Sequence, residues 1–160
     1  MRNGVIVPQR VISRLPDELK WFIRNKGLGF ETARQLGKEV AIVLMASRNK
    51  ERGTEAVQKL RDEGLEVEFV QLEVTKDAEI DALVQHIDAS YGKLDVLVNN
   101  AGIMHSGEPG GINSSETVQE EVLRTTFDVN FFGLVKLTQK LLPLIKQSES
   151  GRIINVSSIL

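Results

Sequence analysis

Cysteine is absent from all 160 residues, and histidine occurs only as His86 and His105. That excludes a thiol nucleophile, a disulfide framework and a zinc site built from Cys and His. A chain of this length hides roughly two thirds of its unfolded surface on folding, so neither metal nor disulfide is needed for stability. A reducing cytoplasm fits such a composition, and a cytoplasmic location is the expectation. Long apolar runs are missing as well. Residues 40–46 form one of the longest, far short of the about 20 residues that cross a bilayer. Near the start, Pro8, Gln9 and Arg10 cut off the short apolar run at 5–7, which argues against a signal peptide. Charge of one sign is also lacking, since 20 basic and 22 acidic residues leave a formal net charge of -2. The basic residues are interspersed with acids rather than gathered into a stripe, so nucleic acid is not an expected partner.

What is present, 41% hydrophobic and 26% charged residues, is the composition of one soluble α/β-sized domain. From residue 26 onward, short β-branched runs alternate with helix-period segments, the pattern of βα units that build a parallel sheet. Residues 40–46 are nearly all apolar, as in a strand covered by helices on both faces. Residues 66–72 alternate instead, which suits a half-buried strand nearer the sheet edge. Residues 94–99 and 152–157 read as two further strands. Between them the expected helices cover 29–37, 50–63, 77–90 and a long stretch from 116 to 147. Gly64 and Gly92 stand where helices should end. Thr75 is the expected N-cap of the third helix, and Ser114 or Ser115 of the fourth. Pro143 is expected to kink or shorten that last helix.

The first 22 residues differ in character. A doubly wound domain needs a buried apolar strand just before its first glycine turn, and residues 16–22 make a poor one. Residues 20–23, 5–7 and 11–12 are the candidates. The reading is a divergent N-terminal segment, 1–22, ahead of an α/β domain, 23–160.

Chemistry concentrates at the ends of the strands. Asn25, Lys26, Gly27, Leu28 and Gly29 open a helix, where backbone N–H groups and the helix dipole can meet a pyrophosphate. A plain turn has the same appearance. Arg48, just past the 40–46 strand, stands where an acidic residue would hold the ribose hydroxyls of NAD. An arginine there favours a 2′-phosphate, with Arg52 one helical turn on to share it. Ordinary basic residues on a solvated helix start are the plainer alternative. Asn99, Asn100, Ala101 and Gly102 close the next strand at its carboxyl edge, the side on which open α/β sheets bind ligands. Asn130 is a polar residue inside an apolar helical stretch, where an amide can tie the helix to neighbouring backbone. Ser157 and Ser158 close the last strand, where a hydroxyl can hydrogen-bond a substrate carbonyl or cap a helix.

Together these residues resemble the short-chain dehydrogenase/reductase family from about Asn25 to Leu160. The family's Thr-Gly-x-x-x-Gly-x-Gly loop matches at Gly27 and Gly29, its Asn-Asn-Ala-Gly matches fully, its helix asparagine matches Asn130, and its strand-end serine matches Ser158. The glycine loop and the Arg48 and Arg52 pair are most similar to the carbonyl reductase-like branch. The resemblance implies a Rossmann-like doubly wound parallel sheet, incomplete here, with later strands and helices absent and the first strand unsettled. It also implies a partial NAD(P)-binding domain and NADP(H) favoured over NAD(H). The implied reaction passes a hydride reversibly between the nicotinamide and a small carbonyl or alcohol substrate. Within that family, Ser158 orients the carbonyl and Asn130 holds a water relay. The cofactor-binding set is Asn25, Lys26, Gly27, Leu28, Gly29, Arg48, Arg52, Glu73, Val74, Asn100, Ala101 and Gly102, with no metal.

Two departures stand out. The family's Tyr-x-x-x-Lys is not found, because the one tyrosine, Tyr91, has Asp95 four residues on and precedes its strand. The loop's first glycine falls on Ile23 and its threonine on Phe22, where a β-branched side chain would crowd the turn. The expectation is therefore a chain with family sequence lost from both ends and little or no activity of its own. The alternative is a non-catalytic nucleotide-binding or protein-interaction module. For it, Leu134, Leu137, Leu141 and Leu144 are either a partner surface or simply core, and the helix around 116–147 is the place for a homo-oligomer contact. A third reading is a product that never folds, its edge at 153–156 bare and prone to aggregate.

Overall fold

Short runs rich in Val, Ile and Leu pair side by side, all parallel, as their alternation with helices demands. In the computed structural model, which describes residues 20–24, 28–39, 42–100, 102–103 and 116–157, the strands are β1 (Lys20–Arg24), β2 (Ile42–Ser47), β3 (Val67–Gln71), β4 (Val96–Asn99) and β5 (Arg152–Asn155). Between them lie α1 (Leu28–Glu39), α2 (Lys50–Asp62), α3 (Asp77–Tyr91), α4 (Glu120–Phe127) and α5 (Gly133–Lys146), with a π-helical turn, Asp128–Phe132, joining the last two. The sheet order is β3-β2-β1-β4-β5. The chain winds outward from β1 to β3, then returns to the other side of β1. The reversal between β1 and β4 is the switch point at whose carboxyl end open α/β sheets bind ligands.

The doubly wound sheet follows from a period of two along each buried strand. On β2, Val43 and Met45 join α1 and α2 in one core, with Leu36 and Leu60 fully buried there. Leu44 and Ala46 join the opposite core, with Ile80, Leu83 and Ile87 of α3 and Leu137 and Leu141 of α5. β2 is buried from Val43 to Ser47, whereas β3 and β5, at the two ends of the sheet, are buried only in part.

Several expectations need correction. Lys76, not Thr75, is the N-cap of α3, and it makes no side-chain cap bond. Glu79 in the first turn instead ties down the loop before the helix, accepting from the Glu73 backbone N–H at 2.6 Å and pairing with Lys76 Nζ at 3.1 Å, and its charge suits the helix dipole. For α2, Asn49 is the cap, its side chain accepting from the Arg52 N–H at 2.8 Å. The expected long helix at 116–147 is a continuous run of right-handed helical backbone from Glu120 to Lys146, with the π turn Asp128–Phe132 inside it. It starts at Glu120 with Gln119 as N-cap, while Ser114 and Ser115 lie outside the described residues. Gly133 lets the helix pass close to the loop after β3, because a Cβ there would meet the Val74 carbonyl oxygen at 2.8 Å. A larger residue would push the helix off that loop. Pro143 does not end α5, which runs on to Lys146. Gln139, whose carbonyl loses its N–H partner at Pro143, is exposed and can bond water instead.

Of the three candidates for the first strand, the structure selects the one at 20–23. Lys20–Arg24 pairs with β2 along its whole length, Ile23 opposite Met45. Ile23 is therefore a strand residue, and the 22/23 divide falls within β1. The other two candidates, at 5–7 and 11–12, lie outside the described residues. β5 ends at Asn155, before Ser157, and Ser158 lies outside the described residues. No helix among the described residues is long and apolar enough to cross a membrane.

Candidate functional site

Because the strands are parallel, β2, β3 and β4 all end on the same edge of the sheet, and the loops that follow them converge there. Past β2 comes Arg48, past β3 come Leu72, Glu73 and Val74, and past β4 comes Asn100. Together with Val129 of the π turn and Leu137 of α5 they line a narrow cleft of about 30 Å³. Its floor is apolar, from Leu72, Val74, Val129 and Leu137. Its mouth is charged. Arg48 Nη1 lies 3.4 Å from Glu73 Oε2, with the arginine side chain 47% exposed and the glutamate side chain 17%. The other carboxylate oxygen, Glu73 Oε1, is buried without a hydrogen-bond partner among the described residues.

Asn99, the last residue of β4, is 4% exposed. Its Nδ2 donates to Asn155 Oδ1 of β5 at 2.8 Å and to Thr138 Oγ1 of α5 at 3.2 Å. Thr138 in turn donates to the Leu134 carbonyl at 2.8 Å. This chain of bonds fixes the ends of β4 and β5 against α5. Asn130 clamps the segment that follows β4. Its Oδ1 accepts from the Ile103 N–H at 2.7 Å and its Nδ2 donates to the Ile103 carbonyl at 2.8 Å, so one amide imitates a strand neighbour for one residue. The π turn carries this amide, as such turns often do at functional places. Asn99, Asn130, Thr138, Asn155 and Ser157 line a second, more open cleft, rimmed by Phe131, Val135, Ile153 and Val156.

The structure thus brings Arg48, Glu73, Val74 and Asn100 together in one cleft, and sets Asn130 in the other beside Ser157. Arg52 sits one turn into α2, exposed. Gly29, in the first turn of α1, is buried, and Leu28 opens that helix. Gly102 is exposed beside Asn130, whose Oδ1 would lie 3.6 Å from a Cβ placed there. Asn25, Lys26, Gly27, Ala101 and Ser158 lie outside the described residues. Sequence reasoning missed Thr138 and Asn155, and named Asn99 as part of the Asn-Asn-Ala-Gly run without its partners.

Tyr91 lies at the opposite, amino edge. Its hydroxyl donates to Glu68 Oε2 at 2.7 Å. Burial first, then the bond to Glu68 and the nearby carboxylates, push its pKa from 10.0 to about 12, so it stays a phenol at neutral pH. His86 lies against the same carboxylate, its Nε2 2.8 Å from Glu68 Oε1. Leu137, Leu141 and Leu144 are core, with exposures of 2%, 0% and 6%, and Leu134 is half-buried. They form no partner surface because α3 and the sheet already cover that face.

The family model for short chain dehydrogenase matches residues 24–160. The chain belongs to the short-chain dehydrogenase family. Among relatives, Short-chain dehydrogenase/reductase 1 of Saponaria officinalis is 39% identical over 153 residues, covering 84% of this chain and 50% of the relative. Carbonyl reductase [NADPH] 1 of Mus musculus is 44% identical over 138 residues, covering 84% and 46%. Among solved structures, a metagenomic short-chain oxidoreductase in complex with NADP superposes with a TM-score of 0.77 at 26% identity, covering 89% of this chain and 63% of that one. The chain spans about half the length of the curated relatives it matches.

Proposed function

We propose that this protein is an NADP(H)-dependent oxidoreductase that interconverts a small carbonyl compound and its alcohol, and that the β2-β3-β4 cleft receives the adenosine end of the cofactor. The observation that carries the reading is Arg48 at the mouth of an apolar cleft on the carboxyl edge. A half-exposed guanidinium held by one 3.4 Å contact is available to a phosphate in bidentate fashion. The residues present suit the rest of the group. Leu72 and Val74 offer a flat apolar wall, and Glu73 Oε1, buried without a partner among the described residues, offers an acceptor to an N–H donor. Relatives named for NADPH, and a neighbour solved with NADP, support the same cofactor. Bound there, the nicotinamide cofactor supplies the hydride.

The chain's own residues have positioning work. Asn130 holds residues 102–103 and is assigned, with Ser158, to the catalytic side of the site. Ser158 orients the substrate carbonyl. Asn25, Lys26, Gly27, Leu28 and Gly29 cradle the pyrophosphate, Ala101 and Gly102 leave room for a flat ring, and Arg52 supports Arg48. The 160 residues contain no Tyr-x-x-x-Lys, and the one tyrosine is spent on Glu68 at the far edge. This polypeptide alone is therefore expected to bind cofactor with little or no turnover, so binding is the readout. Titration calorimetry of the purified chain should show NADPH bound more tightly than NADH, with Arg48→Asp lowering the preference by about tenfold or more. Equal affinity for the two cofactors in the unaltered chain would sink the reading.

A second reading concerns assembly. Leu123, Phe127, Phe131 and Val135 recur every four residues along α4, the π turn and α5, and are 43%, 56%, 54% and 41% exposed. Such a stripe outside a core marks a packing surface, and a second copy of the chain is the partner proposed for it. Sedimentation velocity should show a dimer that Phe127→Ser weakens. A monomer at all concentrations would end this reading.

A further inference from the structure

We infer that Glu73 tunes the phosphate selectivity of the β2-β3-β4 cleft by competing with the ligand for Arg48. The inference rests on the reading of that cleft as a dinucleotide site. Its basis is an asymmetry between two partners. The Glu73 side chain is 17% exposed and the Arg48 side chain 47%. Glu73 is also tethered, because its backbone N–H donates to Glu79 Oε2 at 2.6 Å. Glu79 is thereby committed to Glu73 and, through its other oxygen, to Lys76 Nζ at 3.1 Å. Of these groups, Arg48 touches the Glu73 carboxylate, and only at 3.4 Å, while Glu73 Oε1 is buried with no donor to accept from among the described residues. An arriving anion can draw the long, wet arginine away, but the carboxylate cannot follow it into water.

The two ligand chemistries then meet different conditions at the same place. A phosphate on the ribose must take Arg48 from Glu73 and sit near a carboxylate left with less compensation, and like charges in a partly dry site oppose each other. A free ribose hydroxyl does neither, and its O–H can donate to the carboxylate. Glu73 therefore narrows the gap between phosphorylated and unphosphorylated cofactor that Arg48 opens. Selectivity is a difference of two affinities, and an acidic neighbour acts on one of them.

The test measures NADPH and NADH affinities by titration calorimetry on the full chain and on Glu73→Gln, Arg48→Gln and the double variant, each shown to be folded by circular dichroism. Glu73→Gln keeps the shape, removes the charge and should tighten NADPH by roughly threefold or more, leaving NADH unchanged or weaker. In the Arg48→Gln background the same change should bring no such gain. Glu73→Asp, which retracts the carboxylate from Arg48 while keeping its charge, should give an intermediate gain, and it serves if Glu73→Gln fails to fold. An unaltered NADPH-to-NADH ratio in Glu73→Gln, or equal loss for both cofactors, overturns the competition while leaving the cleft a dinucleotide site. A gain that survives without Arg48 overturns it too, since bare charge repulsion would then suffice. Binding of neither cofactor by the unaltered chain removes both this inference and the reading beneath it.

Discussion

The two clefts at the carboxyl edge share Asn99 as a wall and α5 as a flank, yet they are chemically unlike. The one over β2, β3 and β4 has an apolar floor under a charged mouth, where Arg48 meets Glu73. The one over β4 and β5 has amides for a floor and an apolar rim, with Phe131 54% and Ile153 39% exposed. α5 shows the difference within a single turn, since Leu137 is 2% exposed and faces the first cleft, while Val135 is 41% exposed and faces the second. A cleft bounded by strand ends on both sides of β1 lies over the middle of the sheet, so its polar groups face whatever enters it. A cleft beside the outer strand of the described sheet lies at its edge, and its apolar rim faces solvent.

The largest expected effect sets the two faces of α5 against each other. Leu137→Ala should cost about 2–5 kcal/mol in denaturant unfolding, whereas Val135→Ala should stay within about 0.5 kcal/mol. Equal costs would erase the distinction between narrow and open cleft. Next comes Gly133→Ala, whose Cβ would lie 2.8 Å from the Val74 carbonyl and 2.9 Å from its Cγ2. It should cost about 1–3 kcal/mol through overpacking and weaken NADPH binding by displacing Val74. Full stability with full binding would show that α5 can shift without disturbing the first cleft. A smaller effect on stability, below about 0.5 kcal/mol, is expected for Ile153→Lys on the outer strand. Light scattering should nonetheless show less self-association, as a charge on a strand edge discourages pairing.

The smallest effect belongs to Tyr91, remote from both clefts and the one tyrosine in the chain, so its phenolate absorbance can be read without interference. Its folded pKa is raised from 10.0 to about 12. The stability it contributes is therefore fully present below pH 10 and is lost as the pH rises toward 12, because only the unfolded chain then releases the proton readily. Tyr91→Phe should flatten that part of the pH–stability curve, and added NADPH should leave the absorbance titration where it was. A phenolate forming at the ordinary pH would break the Glu68 contact as drawn.

Periodicity carried much of the fold. The unbroken apolar run at 40–46 became the buried β2, and the alternating run at 66–72 became the half-buried β3, because burial on two faces or one leaves that trace in the residues themselves. Gly92 ends α3 with φ 68°, a conformation glycine adopts at little cost. What depends on distant partners left no such trace. Thr75 looked like a cap because hydroxyls often are, but the helix starts one residue later, with Lys76 at the cap position. The helix around 116–147 looked continuous because its residues favour helix throughout. Only the π turn within it escaped the sequence, placed where Gly133 meets Val74 and Asn130 meets Ile103, contacts spanning 59 and 27 positions.

The same division runs through the candidate site. By itself the sequence determined the family, through Gly27, Gly29, the Asn-Asn-Ala-Gly run, Asn130 and Ser158, and it determined that Arg48 follows a buried strand. Those are local matters of residue type and spacing. Only the tertiary structure decided that Arg48 faces Glu73, that Asn99 joins β5 to α5, and that the leucine stripe of α5 is core while the aromatic stripe beside it is bare. Each of these depends on which strands lie side by side. A parallel sheet joined by helical crossovers brings together residues far apart in the chain, and no local pattern encodes the distance between them.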